Sequence, residues 1–204
     1  MFKKYFANPS FLFLLAGNLY CIWYYENHPD GFATVVWIYW FQSIIIGFFN
    51  FLDLLTIKNF DGGTLKINNA PASEKNKGCI AWFFLMHYGF FHLGYCIFLL
   101  VDFGVRGIDK NFLLLGVAAF LLESVFSFMK RKQLEQKAKL NIGTIFFLPY
   151  LRIVPMHLTI LIPAFTGIKP SLLFLVLKMF ADIFSFSLYH HIYSKSDSGE
   201  IDGN

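Results

Sequence analysis

Six runs of apolar residues, most of them long enough to cross a hydrocarbon core, constrain this chain more than any motif in it. A helix rising 1.5 Å per residue needs about 20 residues to span roughly 30 Å of hydrocarbon. The runs cover residues 11–25, 32–55, 79–101, 111–129, 143–165 and 171–193. The first is short, and Pro9 makes its start irregular. Composition agrees: 56% of residues are hydrophobic and only 15% charged, where soluble domains carry about 25% charged residues. The expected fold is therefore all-α, a polytopic bundle of about six transmembrane helices. One domain over residues 1–194 is expected, followed by a disordered tail at 195–204 that has no apolar anchor.

Lysine and arginine set the expected orientation, because basic loops are retained on the cytoplasmic side. The N-terminus, the second and fourth connections and the tail together hold twelve Lys and Arg residues, against three in the first, third and fifth connections. Both termini are thus expected in the cytoplasm, with the chain in the cytoplasmic (inner) membrane. Trp23, Tyr24, Tyr25, Trp37, Tyr39 and Trp40 cluster near the outer boundary and Trp82 near the inner one, as aromatic belts do. The net charge of +4 reflects this topology and gives no argument for nucleic acid; the partner it implies is the bilayer. The run MKRKQLEQKAK reads as a retained inside loop that can lie on anionic headgroups.

Cys21, Cys79 and Cys96 show no CxxC spacing and leave an odd one over. Neither a disulfide framework nor a thiolate metal site is indicated. Asp61-Gly62-Gly63 in the long second connection is a turn signal with room for a small hairpin. The Lys3-Lys4 start resembles a signal peptide, but five later spans favour an uncleaved first helix. No internal repeat is visible.

The functional signal lies in polar residues within the spans. An ionisable side chain in lipid costs at least a few kcal/mol unless it faces a partner, water or the bundle interior. These residues are Gln42, His87, His92, Glu123, Arg152, His157, Lys178 and Asp182. At 1.5 Å per residue, His92 falls about 20 Å up span three and His157 about 21 Å up span five. Asp182 falls about 18 Å and Gln42 about 15 Å down from the outer boundary, so all four sit near the midplane. His87, Arg152 and Glu123 form a second layer about 10–14 Å above the inner boundary.

His87 and His92 are separated by about 140° around their helix, so they cannot easily share one metal ion. His92 shares a stripe with Tyr88 and Tyr95, and Gly89 and Gly94 offer small surface nearby. In LRIVPMHLTI, Pro155 is expected to kink span five beside Arg152 and His157. Glu123 is the obvious protein partner for Arg152, a substrate carboxylate or phosphate the alternative. Lys178 and Asp182 stand at i,i+4: either they neutralise each other, or Asp182 turns to a histidine while Lys178 snorkels outward. His190 and His191 read as interfacial residues.

The seams MHYGFFHLGY and RIVPMHLTI, with WIYWFQSIIIG upstream, resemble a prokaryotic family of multi-span membrane proteins of unknown function. The resemblance implies a shared helical fold over spans two to six and brings no activity. Three functions compete. His92 and His157, with Asp182 and His87, are candidates for metal ligation or proton relay; haem, zinc or iron would suit such ligands. The same residues could serve a transporter or channel beside a broken fifth helix, as a homo-oligomer. A non-catalytic scaffold would use the buried charges only to fix helix register. A serine protease or esterase fits less well: no GxSxG elbow occurs, and Ser43, Ser124, Ser127 and Ser185 lack glycine-rich oxyanion sequence.

Overall fold

Each apolar run forms one helix. In order these are α1 Pro9–Asn27, α2 Phe32–Thr56, α3 Lys77–Asp102, α4 Lys110–Glu135, α5 Ile142–Thr166 and α6 Leu172–Asp197. The structure is a computed structural model that describes residues 8–62, 65–67, 69–136, 139–167 and 172–197, with 152, 155–161, 163–164, 173–174 and 189–197 described by backbone alone.

The helix ends refine the sequence expectation. Pro9 does not disorder the start of α1: it occupies the first turn, where its missing N–H is no loss, and the Asn8 side chain accepts from Ser10 N at 3.2 Å. The run KRKQLE lengthens α4 beyond residue 129; these are strong helix formers, and Lys132 pairs with Glu135 at 2.8 Å. Residues 195–197, expected in the tail, continue α6, since no Gly or Pro interrupts the chain before Gly199. The fifth helix is not broken: α5 runs as one element through Pro155, one missing donor being too little to end a 25-residue ladder.

Helix α1 packs on α4 and α6, α2 packs on α3, α4 and α5, and α5 packs on α6. The helices α1, α4, α2, α5 and α6 therefore close a ring, and α3 lies outside it against α2. Where α4 meets α1 and α2, close approach needs glycine: a Cβ on Gly17 would stand 2.9 Å from the Phe120 ring, and one on Gly116 2.8 Å from Ile38.

Polarity is arranged inward. On α3 the buried stripe Phe84, Tyr88, His92, Tyr95, Leu99 carries Tyr88, His92 and Tyr95, while Met86, His87, Phe90, Leu93 and Val101 are exposed. Gly89 and Gly94 are exposed, and among the described residues nothing lies within 4 Å of a Cβ built on either. Among the described residues three helices are long and apolar enough to cross a membrane: α2 with the 3-10 turn before it, α3 and α4.

The connections fall at two ends. Trp37 Nε1 donates to the Gly104 carbonyl at 2.9 Å and Asp109 N to Thr34 Oγ1 at 3.2 Å, tying the third connection to the start of α2. At the other end β1 (Phe60–Asp61) pairs in parallel with β4 (Leu140–Asn141), joining the second connection to the fourth. Beside that pairing Arg131 meets the buried carboxylate of Asp53 at 2.6 Å, and Glu135 accepts from Lys58 N at 2.6 Å. The hairpin forms a few residues beyond Gly62, from β2 (Lys66–Ile67) and β3 (Ala70–Pro71), with Asn69 in the left-handed region at φ 63°. Gly62 is where it docks: a Cβ there would meet the Ala72 carbonyl at 2.3 Å.

Candidate functional site

The i,i+4 spacing of Lys178 and Asp182 puts both on the face of α6 that points into the ring. Each is 2% exposed, and Lys178 Nζ lies 2.5 Å from Asp182 Oδ2. The ammonium's other two hydrogens reach Gln42 Oε1 at 2.6 Å and Asn18 Oδ1 at 3.2 Å. The same two amides donate back to Asp182 Oδ2, Asn18 Nδ2 at 3.0 Å and Gln42 Nε2 at 3.2 Å. The rings of Tyr39 and Phe120 flank the ammonium with centroids 4.0 and 5.1 Å away, close enough for cation–π attraction. Lys178 therefore does not snorkel. A charge this deep is tolerable only when paired and hydrogen-bonded, and helices α1, α2 and α6 together supply that shell.

A second network begins one residue further along α2. Ser43 Oγ lies 2.6 Å from His92 Nε2 and 3.1 Å from Tyr88 Oη. His92 Nδ1 is 2.8 Å from the Tyr88 carbonyl oxygen, which can only accept. The hydrogen therefore sits on Nδ1, and Nε2 turns its lone pair to the Ser43 hydroxyl. Tyr88 Oη donates to the Ser43 carbonyl at 2.8 Å, and its ring stacks on His92 with centroids 4.2 Å apart. Gly47 makes this possible: a Cβ there would stand 2.3 Å from Tyr88 Cε1. Trp40 Nε1 donates to the His92 carbonyl at 3.2 Å, fixing α3 against α2.

A small cavity of about 10 Å³ lies between the two networks. It has room for roughly one water molecule. Tyr39, Gln42, Lys178 and Asp182 line one part, Ser43 and Tyr88 another, and Ile46 and Ile153 complete the wall.

The residues singled out in the sequence thus separate. Gln42 and Asp182 meet, and His92 lies at the same level through Ser43, next to Gln42 in the chain. His92 bonds to Ser43 and Tyr88, and Asp182 bonds to Lys178, Asn18 and Gln42, so the expected His92–Asp182 partnership is replaced by a cavity between their networks. Tyr95 is buried on the His92 stripe, beside Phe98. His87 does not join Glu123; it is exposed on α3 and bonds through Nδ1 to Tyr150 Oη at 2.8 Å. Glu123 is buried and accepts from Ser127 Oγ at 3.0 Å and Ser124 Oγ at 3.2 Å. The side chains of Arg152, His157, His190 and His191 lie outside the described residues.

Asn18 and Gly47 were not foreseen, Tyr39 was expected in the outer aromatic belt and is instead buried against Lys178, and Ser43 was weighed only for an esterase. Two signals pointed to them: an amide in the apolar run LLAGNLYC, and the Ser43-x-x-x-Gly47 spacing that lets helices approach closely. Among the described residues no three His, Cys, Asp or Glu side chains gather to hold a metal ion.

A mostly helical chain with, among the described residues, three helices long and apolar enough to cross a membrane and a buried ionic core has the build of an integral membrane protein. The chain belongs to DUF6498, a family of unknown function whose model matches residues 1–199. No curated protein and no solved structure matches it.

Proposed function

We propose that this is a multi-pass protein of the cytoplasmic membrane, with six spanning helices and both termini inside, whose central site passes protons between buried side chains and a molecule in the cavity. The basic bias of the even-numbered connections and the apolar outer faces of α3 and α4 support the membrane reading. The observation that supports the site reading is the cavity, with Asp182 and Lys178 on one wall and Ser43, backed by His92, on another.

The chemistry follows from charge balance. Lys178 and Asp182 together are neutral, and Lys178 has three acceptors that keep its proton in place. A proton delivered to Asp182 leaves the lysine's charge uncompensated among apolar side chains, which costs several kcal/mol. A small anion entering the cavity would restore the balance, so protonation and solute occupancy are coupled at this site. The proton reading is favoured over metal or haem ligation because both ring nitrogens of His92 are engaged, one by Ser43 and one by a carbonyl.

The test is proton entry into proteoliposomes holding a trapped pH-sensitive dye, with and without a chloride or formate gradient. Flux above protein-free vesicles is expected, falling at least about tenfold in Asp182→Asn and His92→Gln, as for loss of a positioned proton-transfer group. Wild-type flux equal to that of empty vesicles under every gradient would sink this reading and leave the scaffold.

A further inference from the structure

We infer that Ser43 is a nucleophile activated by His92, and that the cavity it lines accepts the carbonyl of an ester with an apolar acyl chain. This goes beyond the proton reading and does not depend on it; the two share the cavity and the Ser43–His92 pair and differ in the chemistry done there. The geometry meets three separate requirements of nucleophilic catalysis. The base is in reach of the nucleophile, Nε2 to Oγ at 2.6 Å. The base is itself oriented by a third group, since the Tyr88 carbonyl 2.8 Å from Nδ1 fixes the tautomer that leaves Nε2 basic. And Ser43 opens on a cavity, with His92 behind it, away from the lining.

The donor for a developing oxyanion comes from a side chain instead of a glycine-rich loop. Tyr88 Oη already gives its one hydrogen to the Ser43 carbonyl at 2.8 Å, so it orients the serine, and the free donor is on Gln42. Gln42 Nε2, also on the lining, gives one hydrogen to Asp182 and carries a second. The absence of a GxSxG elbow is therefore no obstacle: the elbow exposes a serine at a strand end, whereas here Gly47 admits the Tyr88 ring and the serine is presented from mid-helix. Substrate class follows from size and surroundings. A space for about one water holds a carbonyl oxygen but not a chain, and Ile46 and Ile153 make the remaining wall apolar.

In the step proposed, Ser43 Oγ bonds to the acyl carbon as its proton passes to His92 Nε2, and the carbonyl electron pair moves onto oxygen. Collapse breaks the bond to the alkoxy group, which leaves with the proton from His92. Water then attacks acyl-Ser43, gives its proton to His92, and the acid departs as Ser43 Oγ takes that proton back.

The test uses the full chain in mild detergent or proteoliposomes and an alkyl fluorophosphonate probe, read by mass spectrometry of the adduct, with p-nitrophenyl esters from acetate to decanoate as substrates. A single adduct on Ser43 is expected, absent after heat denaturation and in Ser43→Ala. In His92→Gln its rate should fall by about 100-fold or more, the usual contribution of a positioned general base. No Ser43 adduct on the folded wild-type protein would overturn the inference, whatever the variants do. So would labelling of Ser43 in His92→Gln at the wild-type rate. Proton flux without an adduct keeps the proton reading alone, and an adduct without flux keeps this one alone.

Discussion

Removing one member of the Lys178–Asp182 pair should destabilise this protein far more than removing both. In Asp182→Asn the ammonium keeps Gln42 Oε1 at 2.6 Å and Asn18 Oδ1 at 3.2 Å but loses the carboxylate that stands 2.5 Å from it. In Lys178→Met the carboxylate keeps two amide donors and loses its cation. Stranding one charge of a buried pair costs about 3–5 kcal/mol, while replacing both partners is often close to neutral. For a chain of this size 1 kcal/mol is worth about 2–4 °C in Tm, so each single variant should melt about 6–20 °C lower. The double variant Lys178→Met/Asp182→Asn should melt above both singles and close to the wild-type protein. Thermal unfolding in mild detergent, followed by circular dichroism, measures all four proteins. Single variants within about 3 °C of wild type, or a double variant that melts no higher than the singles, would refute the claim that this pair is buried and mutually dependent.

Two further outcomes test the packing around the site. Gly47→Ala places a Cβ 2.3 Å from Tyr88 Cε1, and overpacking of this kind costs about 1–3 kcal/mol; a lowered Tm should accompany loss of Ser43–fluorophosphonate adduct, since the ring that aligns Ser43 must move. Asn50, buried on α2 between this site and Asp53, has neither amide atom hydrogen-bonded among the described residues. Asn50→Leu should therefore raise the unfolding temperature, by the equivalent of about 1–3 kcal/mol of removed desolvation cost; an unchanged or lower Tm would show that the amide is satisfied in the protein.

Much of the architecture was legible because each helix is written locally. A run such as 79–101 has no alternative to a helix in an apolar setting, and α3 brackets it by two residues and one residue at its ends. Pro9 misled because proline's effect depends on where its missing donor falls, and in α1 it falls at the free first turn; at Pro155 it falls inside a long ladder, which continues past it. The level of Gln42, His92 and Asp182 could be estimated because rise per residue is fixed. Which of them bond could not. Depth says nothing of azimuth, and the ring order α1, α4, α2, α5, α6 decides which faces meet.

The sequence by itself therefore determined that the chain is mostly helical, how many long apolar runs it has, and that Gln42, His92, Glu123, Lys178 and Asp182 are buried, though not that His87 is exposed, since these follow from hydrophobic run length and the cost of unpaired charge. Only the tertiary structure decided the partners. It gave Lys178 to Asp182, Gln42 and Asn18, gave His92 to Ser43 and Tyr88, and set a cavity between them. The physical reason is that a hydrogen bond is fixed to tenths of an ångström by helix rotation and side-chain packing from distant segments, and Gly47, which lets Tyr88 reach Ser43, reads in the sequence as one more small residue in an apolar run.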